Sequence, residues 1–293
     1  MKSWDAVFSK VRDRSVDRIE TEIRAVSLGD YSFETYVSAV PELINKNSED
    51  GLKDFDKVLE IPDKRGMFVS EVLYAFSKFF HVLACTNQLS STGALTWSAV
   101  ESYHSTLFGA KAFLASFGIL TYSTRGATVL VDFWPEFGRR EHEKKFRKEF
   151  GASGDFVRLM SPNSLLQQKQ LWEGVQRLCR VGTSDDVDFE GKLNALASLI
   201  DTAPWQVRHA NFYSSESWTW PDDITLPSFD AAVIAERLRN HEETRDLMAL
   251  LDLVFDMAGT LIPKFETVSG LSGLDVPPTV RTYAIPLVAF HST

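Results

Sequence analysis

The spacing of apolar positions makes most of the chain read as helix. Val7, Val11, Ile19, Ile23 and Val26 recur at roughly helical intervals with Arg and Asp on the other face. Ser3 stands where an N-cap belongs and Gly29 where the helix would stop, so one amphipathic helix is expected to open the chain. A second pattern runs from Phe33 to about Asn45, the polar run Asn47 to Gly51 reads as a loop, and a short helical piece is expected up to Glu60. Phe68, Val69, Val72, Leu73, Phe76, Phe79, Phe80 and Leu83 cover more than one stripe, which predicts a helix enclosed on most sides. After the polar loop around Ser91-Thr92-Gly93 a long helix is expected over 94–117, ended by Gly118, so that two antiparallel core helices follow one another.

The period then changes. Ile119–Ser123 and Ala127–Phe133, rich in β-branched and aromatic residues around Thr124-Arg125-Gly126, predict a hairpin, the one convincing β signal in the chain. Helical spacing resumes over 139–150, and a Ser/Pro/Asn loop is expected to end near Pro162. Further helices are expected over 164–180, with Leu165, Leu166, Leu171, Trp172, Val175 and Leu178 inward, over about 189–216, with Pro204 suited to a first helical turn, and over 229–258. Pro277-Pro278 bars helix in a loop-rich tail.

Length and charge bound the function. The 293 residues can bury a sizeable core as one large domain or two small ones. A net charge of −9 means that any nucleic-acid contact needs a local patch, and 139–150, with six basic and three acidic side chains, is such a segment. Arg139, Arg140, Lys144, Lys145, Arg147 and Lys148 are its candidate RNA-binding residues, against the plainer reading of a solvated helix face. Cys85 and Cys179 have no zinc-ligand spacing and read as buried free thiols. The six histidines are scattered, no phosphate-binding glycine loop or GxSxG elbow occurs, and no cofactor or metal is expected. Without a signal-like start or a long unbroken apolar run, the expected location is cytoplasmic and away from membranes.

Two stretches carry the candidate chemistry. Trp97 to Ile119 interleaves small residues with aromatic and aliphatic ones and contains Glu101, Tyr103, His104 and a closing Leu114-x-x-x-Gly118-Ile119; about 90 residues on stands Arg208-His209-Ala210-Asn211-Phe212-Tyr213. Together they resemble the HEPN superfamily of prokaryotic defence and toxin–antitoxin proteins. The resemblance covers roughly residues 65–260. It implies an antiparallel helical bundle, metal-independent RNA cleavage, and a cleft shared between two units, hence a homodimer or a tight complex with a protein partner. The superfamily's nuclease motif is an arginine, a polar residue and then a histidine; here Arg208 and His209 match, and Tyr213 stands in the histidine position.

RNA cleavage of this kind needs a base for the 2′-hydroxyl proton and an acid for the leaving oxygen. An ordinary tyrosine, at about 10, is poorly matched to that work. The resemblance therefore implies Arg208, His209 and Tyr213 as catalytic, with Glu101, His104 and Asn211 in support. On a helix Arg208 and Tyr213 stand about 140° apart, whereas His209 and Tyr213 share a face. The plainer readings are a structural Glu101–Arg208 ion pair, a core His104, and the aromatics Trp205, Phe212, Tyr213, Trp218 and Trp220 pinning a loop rather than stacking bases.

The expected architecture is mainly α: an N-terminal helical extension over 1–62, a HEPN-like bundle over 63–262 with the hairpin and basic helix inserted at 119–162, and a loop-rich tail over 263–293. The expected activity is that of a metal-independent ribonuclease or toxin. The alternative is a catalytically degenerate scaffold or a partner-binding helical protein.

Overall fold

The structure, a computed structural model, describes residues 3–11, 14–18, 21–22, 25–26, 36, 38–47, 55–91, 95–124, 127–135, 155–162 and 164–199. In chain order the elements are α1 (Trp4–Phe8), β1 (Arg14–Ser15), α2 (Ala39–Asn47), β2 (Phe55–Glu60), α3 (Lys64–Ser91), α4 (Leu95–Ser116), β3 (Ile119–Thr124), β4 (Ala127–Asp132), β5 (Phe156–Ser161), α5 (Gln168–Val181), β6 (Gly182–Thr183) and α6 (Val187–Leu199). The chain divides into two compact units. The first comprises Met1–Val72, Leu114–Asp185 and Phe265–Asp275; the second comprises Leu73–Phe113, Asp186–Lys264 and Val276–Thr293.

A mainly α fold is not what forms. Of the described residues 63% are helical and 19% lie in strands, in a four-stranded antiparallel sheet ordered β2-β5-β4-β3 and a two-stranded parallel sheet β1-β6, so the molecule is mixed α/β. The expected hairpin is present, with β3 and β4 pairing from Ile119↔Asp132 to Thr124↔Ala127. Its sheet, however, continues through β5, which pairs Leu130↔Met160 to Asp132↔Arg158, and on to β2, which pairs Phe55↔Ser161 to Glu60↔Phe156. Residues 55–60 were expected to be helical and 156–161 to lie in a loop. Each is a short segment whose backbone hydrogen bonds go to a partner about a hundred residues away, a factor that local propensity does not contain.

The opening helix is corrected for the same reason. Ser3 does cap it, its Oγ accepting from the Ala6 N–H at 3.3 Å, but α1 ends at Phe8. Arg14 and Ser15 instead pair in parallel with Gly182 and Thr183, and the Arg14 side chain turns inward. The extension expected to be helical over 1–62 thus holds β1 and β2. In the later helix, α5 buries Leu171, Trp172, Val175 and Leu178 as expected, while Leu165 precedes it and is 52% exposed.

Two close approaches shape the first unit. Gly118, between α4 and β3, has φ +76, and a Cβ there would stand 2.3 Å from the Trp134 indole. Only glycine takes that conformation cheaply and leaves the ring room. Gly174 faces Phe8, whose ring comes within 2.5 Å of where a Cβ would be, which lets α1 lie close on α5. Around them Phe68 packs against Phe133 and, edge-on, against Trp134, with ring centroids 5.6 and 5.3 Å apart. Fully burying one such side chain is worth about 1.5–3 kcal/mol.

The stretch Lys64–Thr86 of α3 is long and apolar enough to cross a membrane by length and composition. Its side chains nevertheless pack within the protein: Phe68 in the first unit's aromatic cluster, and Thr86 in the second, where its Oγ1 meets the Ser105 Oγ at 2.9 Å. This is the behaviour of a core helix.

Candidate functional site

Among the described residues the strands belong to the first unit, and the second unit's described elements are helical: α3 from Leu73, α4 to Phe113, and α6. Small residues of α4 are buried where it meets α3. Ser102, Ser105, Thr106, Ala110 and Ala112 are buried, and the Thr86–Ser105 hydroxyl pair closes the seam between α3 and α4. Along α4, the steps 97, 101, 104, 108, 111 keep to one face, and those residues are exposed or half-buried while most of those between them are buried.

That face carries Glu101 and His104. The His104 Nδ1 lies 3.5 Å from the Glu101 Oε1, with the two side chains 30% and 29% exposed. The expectation of a core histidine does not hold: His104 is half-buried on a wet face, and the fully buried neighbour is Tyr103. A carboxylate at one ring nitrogen orients an imidazole and leaves the other nitrogen for proton transfer.

Arg208, His209, Asn211 and Tyr213 lie outside the described residues, as do Arg139, Arg140, Lys144, Lys145, Arg147 and Lys148 and the aromatics from Trp205 to Trp220. The expected meeting of Glu101 or His104 with Arg208 falls there too.

Sequence reasoning missed three other polar groups. In the second unit Lys78 of α3 has its Nζ 4.2 Å from the Tyr74 ring centroid, and Lys111 of α4 has its Nζ 5.7 Å from that of Phe108. Burial pushes the Lys111 ammonium below the usual lysine range, and the Lys78 charge pushes it further the same way.

In the first unit Arg14 donates two bonds to the Asp132 carboxylate, at 2.8 and 2.9 Å, and another to the Trp134 carbonyl; the Trp134 N–H donates to Asp132 at 2.8 Å. Burial pushes the Asp132 carboxyl up, against the Arg14 guanidinium, which holds it down. Arg18 and Lys64 each stand 4.2 Å from the Trp134 ring centroid. Lys64, 8% exposed, is drawn down to about 8 by burial, which outweighs the opposing pull of Asp155 and Glu22. A third set, Asp56 with Lys10 and Arg158, ties β2 to β5: burial would raise the Asp56 carboxyl, and the two cations overcome it and hold it well below the usual carboxylate range.

The Arg14–Asp132 and Asp56–Arg158 groups meet donor to acceptor within the protein and do structural work, while the buried Arg14 Nε has no hydrogen-bond partner. Cys179 is buried, its thiol pushed up by burial to about 12, which leaves it unionised at neutral pH, while Cys85 is half-buried, against the expectation that both are buried. The face of α4 that carries Glu101 and His104 is half-exposed. Set against protein-family models, curated proteins and solved structures, the chain matches none.

Proposed function

We propose that the protein is a metal-independent ribonuclease, acting as a toxin or effector in a prokaryotic defence or toxin–antitoxin system. The observation that carries this reading is the half-exposed Glu101–His104 pair, 3.5 Å apart on α4, taken with the resemblance of the Arg208-His209 segment to a HEPN nuclease motif. With tyrosine at position 213, the chain needs another imidazole, and His104 supplies one.

In this reading His104, held by Glu101, takes the 2′-hydroxyl proton as the 2′-oxygen attacks the adjacent phosphorus. His209 protonates the departing 5′-oxygen, giving a 2′,3′-cyclic phosphate and a free 5′-hydroxyl. Arg208 binds the scissile phosphate and offsets the charge that develops on it. The resemblance further implies a homodimer or a tight protein complex, which light scattering on the purified protein reads directly.

The test is cleavage of RNA by wild type and by His104→Ala, Glu101→Gln and Arg208→Ala, with melting temperatures alongside. Expected are cleavage insensitive to EDTA, a loss of about 10²–10⁴-fold on removing His104, and melting temperatures close to wild type. Wild type that cleaves no RNA would leave the competing reading, a scaffold that binds a partner without enzyme activity.

A further inference from the structure

Trp97, Glu101, His104 and Phe108 follow one another at i, i+4, i+7 and i+11 on α4, so the half-exposed carboxylate–imidazole pair has an aromatic residue on either side of it on one helix face. Along the axis Trp97 stands about 10 Å from His104, and Phe108 about 6 Å the other way. The two rings differ. Phe108 is half-buried and has the Lys111 Nζ 5.7 Å from its ring centroid, whereas Trp97 is 54% exposed.

The other described tryptophans are enclosed. Trp4, Trp134 and Trp172 are 1%, 8% and 2% exposed, Trp4 against Phe8 and Trp134 against Phe68 and Phe133. A single apolar side chain in water is ordinary on a protein surface. The position of Trp97 is what gives it meaning, since it shares its face with the pair to which the proton transfer is assigned.

Cleavage by a 2′-hydroxyl requires that one phosphodiester of a flexible strand be held beside the group that takes the proton. A nucleobase stacked on an aromatic ring fixes the strand without regard to sequence, because every base has a π-face. Stacking also needs no cationic patch, which suits a chain of net charge −9 and a helix face that carries a carboxylate.

We propose that Trp97 is a stacking platform for a base of single-stranded RNA, a positioning residue that holds the strand along α4 with a neighbouring phosphate at His104. The choice of RNA rests on the ribonuclease reading; the exposure of the indole and its alignment with His104 do not.

The experiment measures steady-state cleavage of a single-stranded oligoribonucleotide by wild type, Trp97→Ala and Trp97→Tyr. Tryptophan emission is followed while each protein is titrated with a 2′-O-methylated oligouridine, which lacks the attacking hydroxyl. Removing the ring is expected to raise KM about tenfold and to leave kcat within about twofold, because a stacked base is held equally in the ground and transition states. The tyrosine variant, which can still stack, is expected to stay within about threefold of wild type. The oligouridine is expected to quench part of the wild-type emission, and that part is expected to be missing from both variants. An alanine variant with wild-type KM, or with a lowered kcat at unchanged KM, overturns the proposal. So does a tyrosine variant that loses as much as the alanine one, because the loss is then one of packing. An alanine variant that passes from dimer to monomer in light scattering overturns it in favour of a contact between two copies of the chain. Wild type that cleaves nothing yet shows the Trp97-dependent quench removes the ribonuclease reading and leaves the platform standing. Wild type that cleaves while all three proteins share one KM and one quench does the reverse, and wild type with neither cleavage nor quench overturns both.

Discussion

The two compact units handle their charged side chains in opposite ways. In the first, Arg14, Asp132 and the Trp134 backbone close on one another out of contact with water, and Glu22, Arg65, Asp56 and Arg158 do the same nearer the surface. In the second, Glu101 and His104 are half-exposed 3.5 Å apart, and Lys111 is half-buried beside Phe108. A buried pair that satisfies itself specifies structure and binds nothing; groups left half open can exchange protons or accept a ligand. Among the described residues the sheet-bearing unit holds the more enclosed ion pairs and the other unit the half-open one.

The sharpest way to break that contrast is Asp132→Ala, which leaves the Arg14 guanidinium buried and uncompensated. A loss of about 3–5 kcal/mol is expected in urea denaturation. Hydrogen exchange should show β3, β4 and β5 losing protection; a variant as stable as wild type would mean that the first unit does not depend on this pair.

Next comes Lys64. Its folded value of about 8 lies below the ordinary 10.5, so the folded state binds fewer protons than the unfolded state between those two pH values. Stability must then rise with pH across that window, by at most about 3 kcal/mol, the shift taken at 1.36 kcal/mol per pKa unit. Cys179 acts in the opposite sense above about pH 9, since its folded thiol stays protonated where the unfolded one ionises. The difference between wild type and Lys64→Met, measured from pH 8 to 10.5, isolates the lysine. A flat difference would refute its burial.

Gly118→Ala adds a Cβ at a positive φ and against the Trp134 indole. Left-handed strain and a displaced ring are expected to cost about 2 kcal/mol, read by chemical denaturation with the Trp134 environment followed by fluorescence. The smallest stability effect is expected in the second unit: His104→Ala removes a half-exposed side chain from a wet face and should shift stability by less than about 0.5 kcal/mol. A larger loss would make His104 a structural residue and erase the distinction between the units.

Much of the helical part was legible in the sequence. The apolar run from Phe68 to Leu83 and the small-residue pattern from Ala99 to Ala115 are long enough to declare helices at 66–91 and 94–117, and α3 and α4 match them within a few residues. The hairpin was legible because β-branched residues flank a turn signal on both sides. Glu101 and His104 stood out as polar groups in an apolar pattern. Lys111 and Lys64 did not, because a lysine on a helix is a solvated charge until a neighbouring element takes away its water.

What the sequence determined by itself was therefore local: which segments repeat at helical spacing, where one hairpin turns, and that the overall charge is negative. Tertiary structure decided the rest. It made strands of Phe55–Glu60 and Phe156–Ser161, stopped the first helix at Phe8 so that Arg14 could reach Asp132, and buried Lys64 beside the Trp134 ring. The physical reason is common to all four. A strand's backbone partner, a buried charge's counter-ion and a lysine's lost hydration are supplied by residues distant in the chain, and their free energies exceed the few tenths of a kcal/mol per residue, about 0.7 at most, by which local propensity separates helix from its alternatives.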